Sequence, residues 1–168
     1  TTATGKILQV KNAIKTDTAS VTNATFVDIS GLSITITPSS SSNKILFRGY
    51  VACSSEGNTT IAVKIFRGST EIGKSTADST AANNSTGTAK GLNIGSVTSS
   101  TKQFMHQVQF EVLDSPATTS ATTYKVQFAE IHLHQYQSVV VYVNRPHTGM
   151  GADQHGVISS VTAQEVAP

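Results

Sequence analysis

Apolar and polar residues alternate along most of this chain. Leu32, Ile34 and Ile36 are interleaved with Ser33, Thr35 and Thr37. A period of two is the mark of a strand with one buried face. Pro38 cannot donate to a ladder, so the strand ends there. A polar link at 39–43 follows, and then Ile45, Phe47, Val51 and Cys53 share one face of a longer strand. Before this stretch, Ser30 and Gly31 predict a turn out of a short strand at 26–29.

The same grammar extends in both directions. Residues 6–11 read as a strand, with Ile7 and Gln9 on one face and Leu8 and Val10 on the other. Residues 14–25 are polar and predict a loop with weak strand character. Ile61, Val63 and Ile65 alternate with Ala62, Lys64 and Phe66, and Arg67-Gly68-Ser69-Thr70 predicts a tight turn closing a hairpin with 71–75. Residues 76–90 contain no large apolar side chain and predict an exposed loop. Leu92 and Ile94 mark a short strand. Phe104, His106, Val108, Phe110 and Val112 share one face of the next, which Asp114-Ser115-Pro116 breaks. Tyr124, Val126 and Phe128 follow the same rule. In 138–144, Val139, Val141 and Val143 face one way and Val140 and Tyr142 the other. A strand apolar on both faces belongs inside a sheet or against a neighbouring subunit. Residues 146–156 form a glycine-bearing loop, and 157–166 close the chain.

The sum is an all-β chain of roughly nine to eleven antiparallel strands with regular turn signals, the pattern of a jelly-roll β-sandwich. Residues 1–168 are expected to form a single domain with a short extended lead-in at about 1–5. Composition agrees. Charged residues are only 13% of the chain, against about 25% in ordinary domains. Ser and Thr, roughly a quarter of the residues, fill the difference, and the branched Cβ of Thr suits a pleated surface. No helical period appears. A net charge of +2 with scattered Lys and Arg gives no basis for nucleic acid as a partner. No apolar run approaches the ~18 residues of a membrane span, so no membrane insertion is expected. Cys53 is the only cysteine; its place beside Phe47 and Val51 predicts a buried, inert thiol.

Candidate chemistry is sparse. His132 and His134 are two apart, so in an extended segment both rings point the same way. Around a threefold axis they would gather enough imidazoles to hold a transition metal, the alternative being two surface histidines near a strand end. His147 and His155 flank a glycine-rich loop with Asp153 between them. No nucleophile elbow accompanies them, and the ten carboxylates are dispersed, so neither hydrolytic nor glycosidic chemistry is indicated. No cofactor motif is present, and the chain reads as a protein that is not an enzyme. The tyrosines could stack on sugars but more often serve a core or a subunit contact.

Several phrases stand together in one order: Gly5-Lys-Ile-Leu-Gln-Val10, Lys15-Thr-Asp-Thr18, Phe26-Val-Asp-Ile-Ser-Gly-Leu-Ser-Ile-Thr-Ile-Thr-Pro38, Ser42-Asn-Lys-Ile-Leu46, Leu113-Asp-Ser-Pro-Ala-Thr-Thr-Ser-Ala-Thr-Thr-Tyr-Lys-Val-Gln127 and Val141-Tyr-Val-Asn-Arg145. The set resembles a β-rich domain of tailed-bacteriophage virion proteins, found in tail fibres and in otherwise unnamed structural proteins. Residues 131–137 and 148–156 lie outside the resemblance. It implies a virion protein, assembled in the host cytoplasm and released by lysis, with other virion proteins of the tail or capsid as partners. By fold-level analogy the strand pattern is similar to the trimeric jelly rolls of tumour-necrosis-factor and C1q type. A homotrimer would bury Val139, Val141, Tyr142 and Val143 between subunits. The expected role is a tail-fibre or host-attachment domain meeting a host surface glycan or protein, with Asn83, Asn84, His147, Asp153 and His155 in the presenting loops. The alternatives are a capsid decoration protein on the head surface and a carbohydrate-binding or carbohydrate-active module.

Overall fold

A computed structural model describes residues 5–22, 25–56, 59–73, 93–97, 105–131, 139–146 and 156–168, with backbone alone at 60, 93–97 and 131. Among the described residues there are eleven strands and no helix. They are β1 (Lys6–Lys15), β2 (Ala19–Val21), β3 (Val27–Ile36), β4 (Lys44–Ser55), β5 (Thr59–Arg67), β6 (Thr70–Ile72), β7 (Asn93–Val97), β8 (His106–Asp114), β9 (Thr122–Ile131), β10 (Val141–Val143) and β11 (Ser159–Ala167). All pairings are antiparallel.

The strands make two sheets. In sheet A, β4 pairs with β8 on one side and with β11, then β10, on the other; β1 and β2 lie beyond these. In sheet B the order is β3-β9-β5, with β6 and β7 both on the far side of β5. The pairing is nested. β1 meets β11, β3 meets β9, β4 meets β8 and β5 meets β7. The inward rows of both sheets form one core. Leu32, Ile34 and Ile36 from β3 meet Ile45, Phe47 and Val51 from β4, Val108 and Phe110 from β8, and Tyr124, Val126 and Phe128 from β9. Phe47 stacks at 5.6 Å from Phe110 and 5.4 Å from Tyr124. Tilted aromatic pairs at such distances add about 0.5–1.5 kcal/mol each to the burial of their area. Cys53 is buried, and burial pushes its thiol up to about 12.

Three local features depart from the simple alternation. The predicted turn at Ser30-Gly31 is a bulge inside one continuous strand. Gly31 has φ +87, and the β3–β9 register shifts between Asp28 and Ser33. Glycine reaches this backbone conformation without a Cβ penalty, so the strand bends and continues. The predicted loop at 14–25 is also partly strand, since β1 continues to Lys15 and β2 follows. The third feature explains why. β4 changes partner at Ala52, where β11 gives way to β10. The Ala52 N–H donates to Ser159 Oγ at 2.9 Å, and its carbonyl accepts the Asn144 N–H at 2.9 Å. Asn144 Nδ2 donates to the carbonyls of Lys15 (2.8 Å) and Asp17 (2.9 Å), in the matching break between β1 and β2. Its Oδ1 accepts from Ser159 Oγ at 2.6 Å. Asn144 sits at φ 62, a left-handed conformation that Asn tolerates better than most residues. Two buried side chains thus satisfy the backbone where two strand pairs change over.

Candidate functional site

The sequence-predicted site residues divide in two. His132, His134, Asn83, Asn84, His147, Asp153 and His155 lie outside the described residues. Val141 and Val143 are fully buried, and Tyr142 is 8% exposed, all within one chain. β10 runs between β4 and β2 inside sheet A. Its apolar character on both faces is used up there, with the Tyr142 hydroxyl bonded to Glu56 and the Arg145 guanidinium 4.4 Å from its ring. These three side chains have no surface left for a second copy, and Val139 beside them is half-buried. Among the described residues, no three His, Cys, Asp or Glu side chains gather as a metal-binding group.

The surface feature that emerges instead is the outer face of sheet A. Of the seven large apolar residues that are exposed among the described residues, Ile7 (52%), Leu8, Val10 (55%) and Ile14 (55%) lie on β1, Leu113 (55%) on β8, and Ile158 just before β11. Of these seven, Val27 is the one that belongs to sheet B. Strand register places the outward residues in rows across the sheet. Val10, Gln164, Leu46 and Leu113 lie abreast; then Asn12, Thr162, Arg48 and Glu111; then Ile14, Ser160, Tyr50 and Gln109.

Within those rows lies an open hollow of about 590 Å³, lined chiefly by Arg48, Tyr50, Gln109, Glu111, Ser160 and Thr162. Gly49 beneath it is required by close strand approach. A Cβ there would stand 2.3 Å from the Ser160 carbonyl oxygen and 2.9 Å from Val161 Cα. Asn12 Nδ2 lies 3.0 Å from Ser160 Oγ and 2.9 Å from Thr162 Oγ1, and holds both hydroxyls in place. Arg48 and Glu111 approach only to 4.0 Å, with side chains 50% and 63% exposed.

Sequence reasoning missed this face because β1 is inverted relative to its hydrophobicity. Its inward positions are Gln9, Ala13 and Lys15, and its outward ones are Val10 and Ile14. The inward polar residues have defined work. Gln9 Nε2 donates to Glu165 at 2.5 Å and to the Thr37 carbonyl at 2.8 Å. The buried Glu165 carboxylate also accepts from the Ser39 N–H (2.6 Å), Ser39 Oγ (2.7 Å) and Asn43 Nδ2 (2.6 Å). Burial pushes this carboxyl up, but bonds from Gln9, Asn43 and Ser39 outweigh it and hold it down at about 2. A second polar cluster joins the sheets elsewhere. Arg67 from β5 grips both oxygens of Asp114 from β8 at 2.9 Å, and the buried Tyr124 hydroxyl donates to Asp114 at 2.6 Å. Burial and that carboxylate both raise the Tyr124 phenol far above its ordinary range. Both clusters join elements of the fold.

No protein-family model and no curated protein matches the chain.

Proposed function

We propose that this chain is a non-enzymatic structural protein of a bacteriophage virion, a jelly roll that assembles as a homotrimer and serves as a tail-fibre or host-attachment domain. The observation that carries the assembly part is the set of exposed aliphatics on β1, Ile7, Leu8, Val10 and Ile14. Isolated surface aliphatics are ordinary, but contiguous ones mark interaction sites. These aliphatics lie along β1, beside the hollow and not within it.

The nested strand pairing supports the jelly roll. First strand with last, and each inner strand with its mirror in chain order, is what a long folded hairpin gives when it is rolled into two sheets. The virion assignment rests on the phrases quoted above. Self-association is what a particle subunit needs, and a ring of identical contacts closes it. Analytical ultracentrifugation of the purified chain is expected to give three times the subunit mass; a monomer at high concentration would defeat the assembly reading. Quantitative gels of purified particles are expected to show the chain at the copy number of a tail appendage. A copy number matching the shell subunits would move it to the head surface, and absence from particles would remove the virion reading.

A further inference from the structure

We propose that the hollow over Gly49 binds a neutral saccharide, with a sugar ring laid against Tyr50. The inference rests on the attachment reading above for its biological purpose and names the ligand class and the residues. The hollow is built over a central strand of sheet A. β4 is bonded along both edges, to β8 and to β11, and all six polar side chains project from these three strands. Thr162, Arg48 and Glu111 form one row, and Ser160, Tyr50 and Gln109 the next. The rows are about 7 Å apart and the strands about 4.8 Å apart. That grid has the footprint of a short saccharide, held on a sheet rather than on loops.

The chemistry of the lining selects the ligand. Arg48 and Glu111 stand 4.0 Å apart, so their charges offset one another locally. A phosphate or carboxylate would meet Glu111, and a cation would meet Arg48. An apolar ligand would strip water from both without replacing its hydrogen bonds, at a net cost. A neutral ligand with several hydroxyls can donate to the carboxylate and accept from the guanidinium at once. Ser160 and Thr162 each add a hydroxyl whose oxygen already lies within reach of Asn12, so each keeps its proton to donate. Tyr50, half-buried at the edge of the hollow, offers a flat apolar surface to the C–H face of a ring. The exposed aliphatics of β1 lie one strand beyond β11, beside the hollow.

The test uses the full chain on an array of defined neutral and acidic oligosaccharides, followed by calorimetric titration of the strongest neutral one. Ultracentrifugation of the same preparation is run alongside. Retention of a neutral saccharide is expected, with at least a tenfold loss of affinity in Tyr50→Ala and in Glu111→Gln, and no change in Lys125→Ala on the opposite sheet. A trimer that retains no neutral saccharide, or only acidic ones, overturns the site while leaving the assembly reading intact. A monomer that binds does the reverse. If Tyr50→Ala dissociates the trimer and leaves saccharide affinity unchanged, the hollow belongs to the subunit contact and the proposal fails.

Discussion

The two outward faces of this sandwich are finished differently. On sheet B, Lys125 pairs with Asp28 at 2.9 Å, and Gln127 adds a bond to the same carboxylate at 2.7 Å. Lys64 pairs with Glu71 at 3.2 Å while lying 4.4 Å from the Phe26 ring, which itself covers Ala62 and Ala129. Thr35 and Thr123 share a hydrogen bond across β3 and β9. Among the described residues of that sheet, Val27 is the one large apolar side chain that is exposed. On the outer face of sheet A the ion pair between Arg48 and Glu111 is a loose one at 4.0 Å, and the aliphatics of β1 stand open. A face completed by its own charges suits water; the exposed aliphatics and hydroxyls of the other are what the proposed assembly would use.

The strongest way to break this comparison is to charge each face in turn. Val10→Lys with Ile14→Lys is expected to weaken self-association by about 3 kcal/mol, from two aliphatic side chains at about 1.5 kcal/mol each, or more than a hundredfold. Both residues are already 55% exposed in the single chain, so the urea midpoint of the dissociated subunit should move little, within about 0.5 kcal/mol. Val27→Lys on sheet B should change neither quantity. Sedimentation equilibrium measures the first and urea denaturation the second. Equal effects from Val27→Lys and the β1 pair would erase the distinction between the faces.

The sequence made the core legible and the surface much less so. Leu32, Ile34, Ile36, Ile45, Phe47 and Val51 sit inside as their alternation dictates, because these strands meet apolar neighbours on one side and water on the other. β1 follows no such rule. Its inward positions meet the Glu165 carboxylate and the carbonyls of Thr35 and Thr37, so Gln9 and Lys11 point there and the aliphatics point out. That inversion depends on partners 24 to 156 residues away, which no local pattern encodes. The same holds for the hollow. Arg48 and Tyr50 are unremarkable polar positions of one strand until the register brings Glu111, Gln109, Ser160 and Thr162 beside them. The doubly apolar stretch around Val141 offered two explanations, and only the sheet order selects the interior one.

The seam between the faces offers a pH test of intermediate size. Glu165 ties β11 to β1 and to the link at 39–43 that leads out of sheet B. Its folded carboxyl is held at about 2 from an ordinary 4.5. A depressed folded value means that the carboxylate stabilises the fold above the unfolded value and that this contribution is lost as pH falls from about 4.5 toward 2. The wild-type urea midpoint should therefore drop across that window, and Glu165→Gln should start lower and fall less steeply. An unchanged slope in the variant would show that the acid sensitivity of the fold lies in other carboxylates.

Ionic strength should separate the faces at the smallest scale. The Lys125–Asp28 pair is part-exposed, with side chains at 26% and 54%. Lys125, and then Gln127, hold the Asp28 carboxyl below its ordinary value, yet solvent screening limits what such a pair contributes. Lys125→Met is expected to cost no more than about 0.5 kcal/mol at low salt. The difference should shrink further in about 1 M sodium chloride, where the screening length falls to about 3 Å. Association through the aliphatics of β1 should respond in the opposite sense, because sulfate strengthens apolar burial. Urea midpoints of Lys125→Met at two salt concentrations, beside sedimentation of the wild-type chain with and without sulfate, give both readings. If assembly weakened with sulfate, the contact between copies would be ionic, and the apolar row on β1 would not be what holds them together.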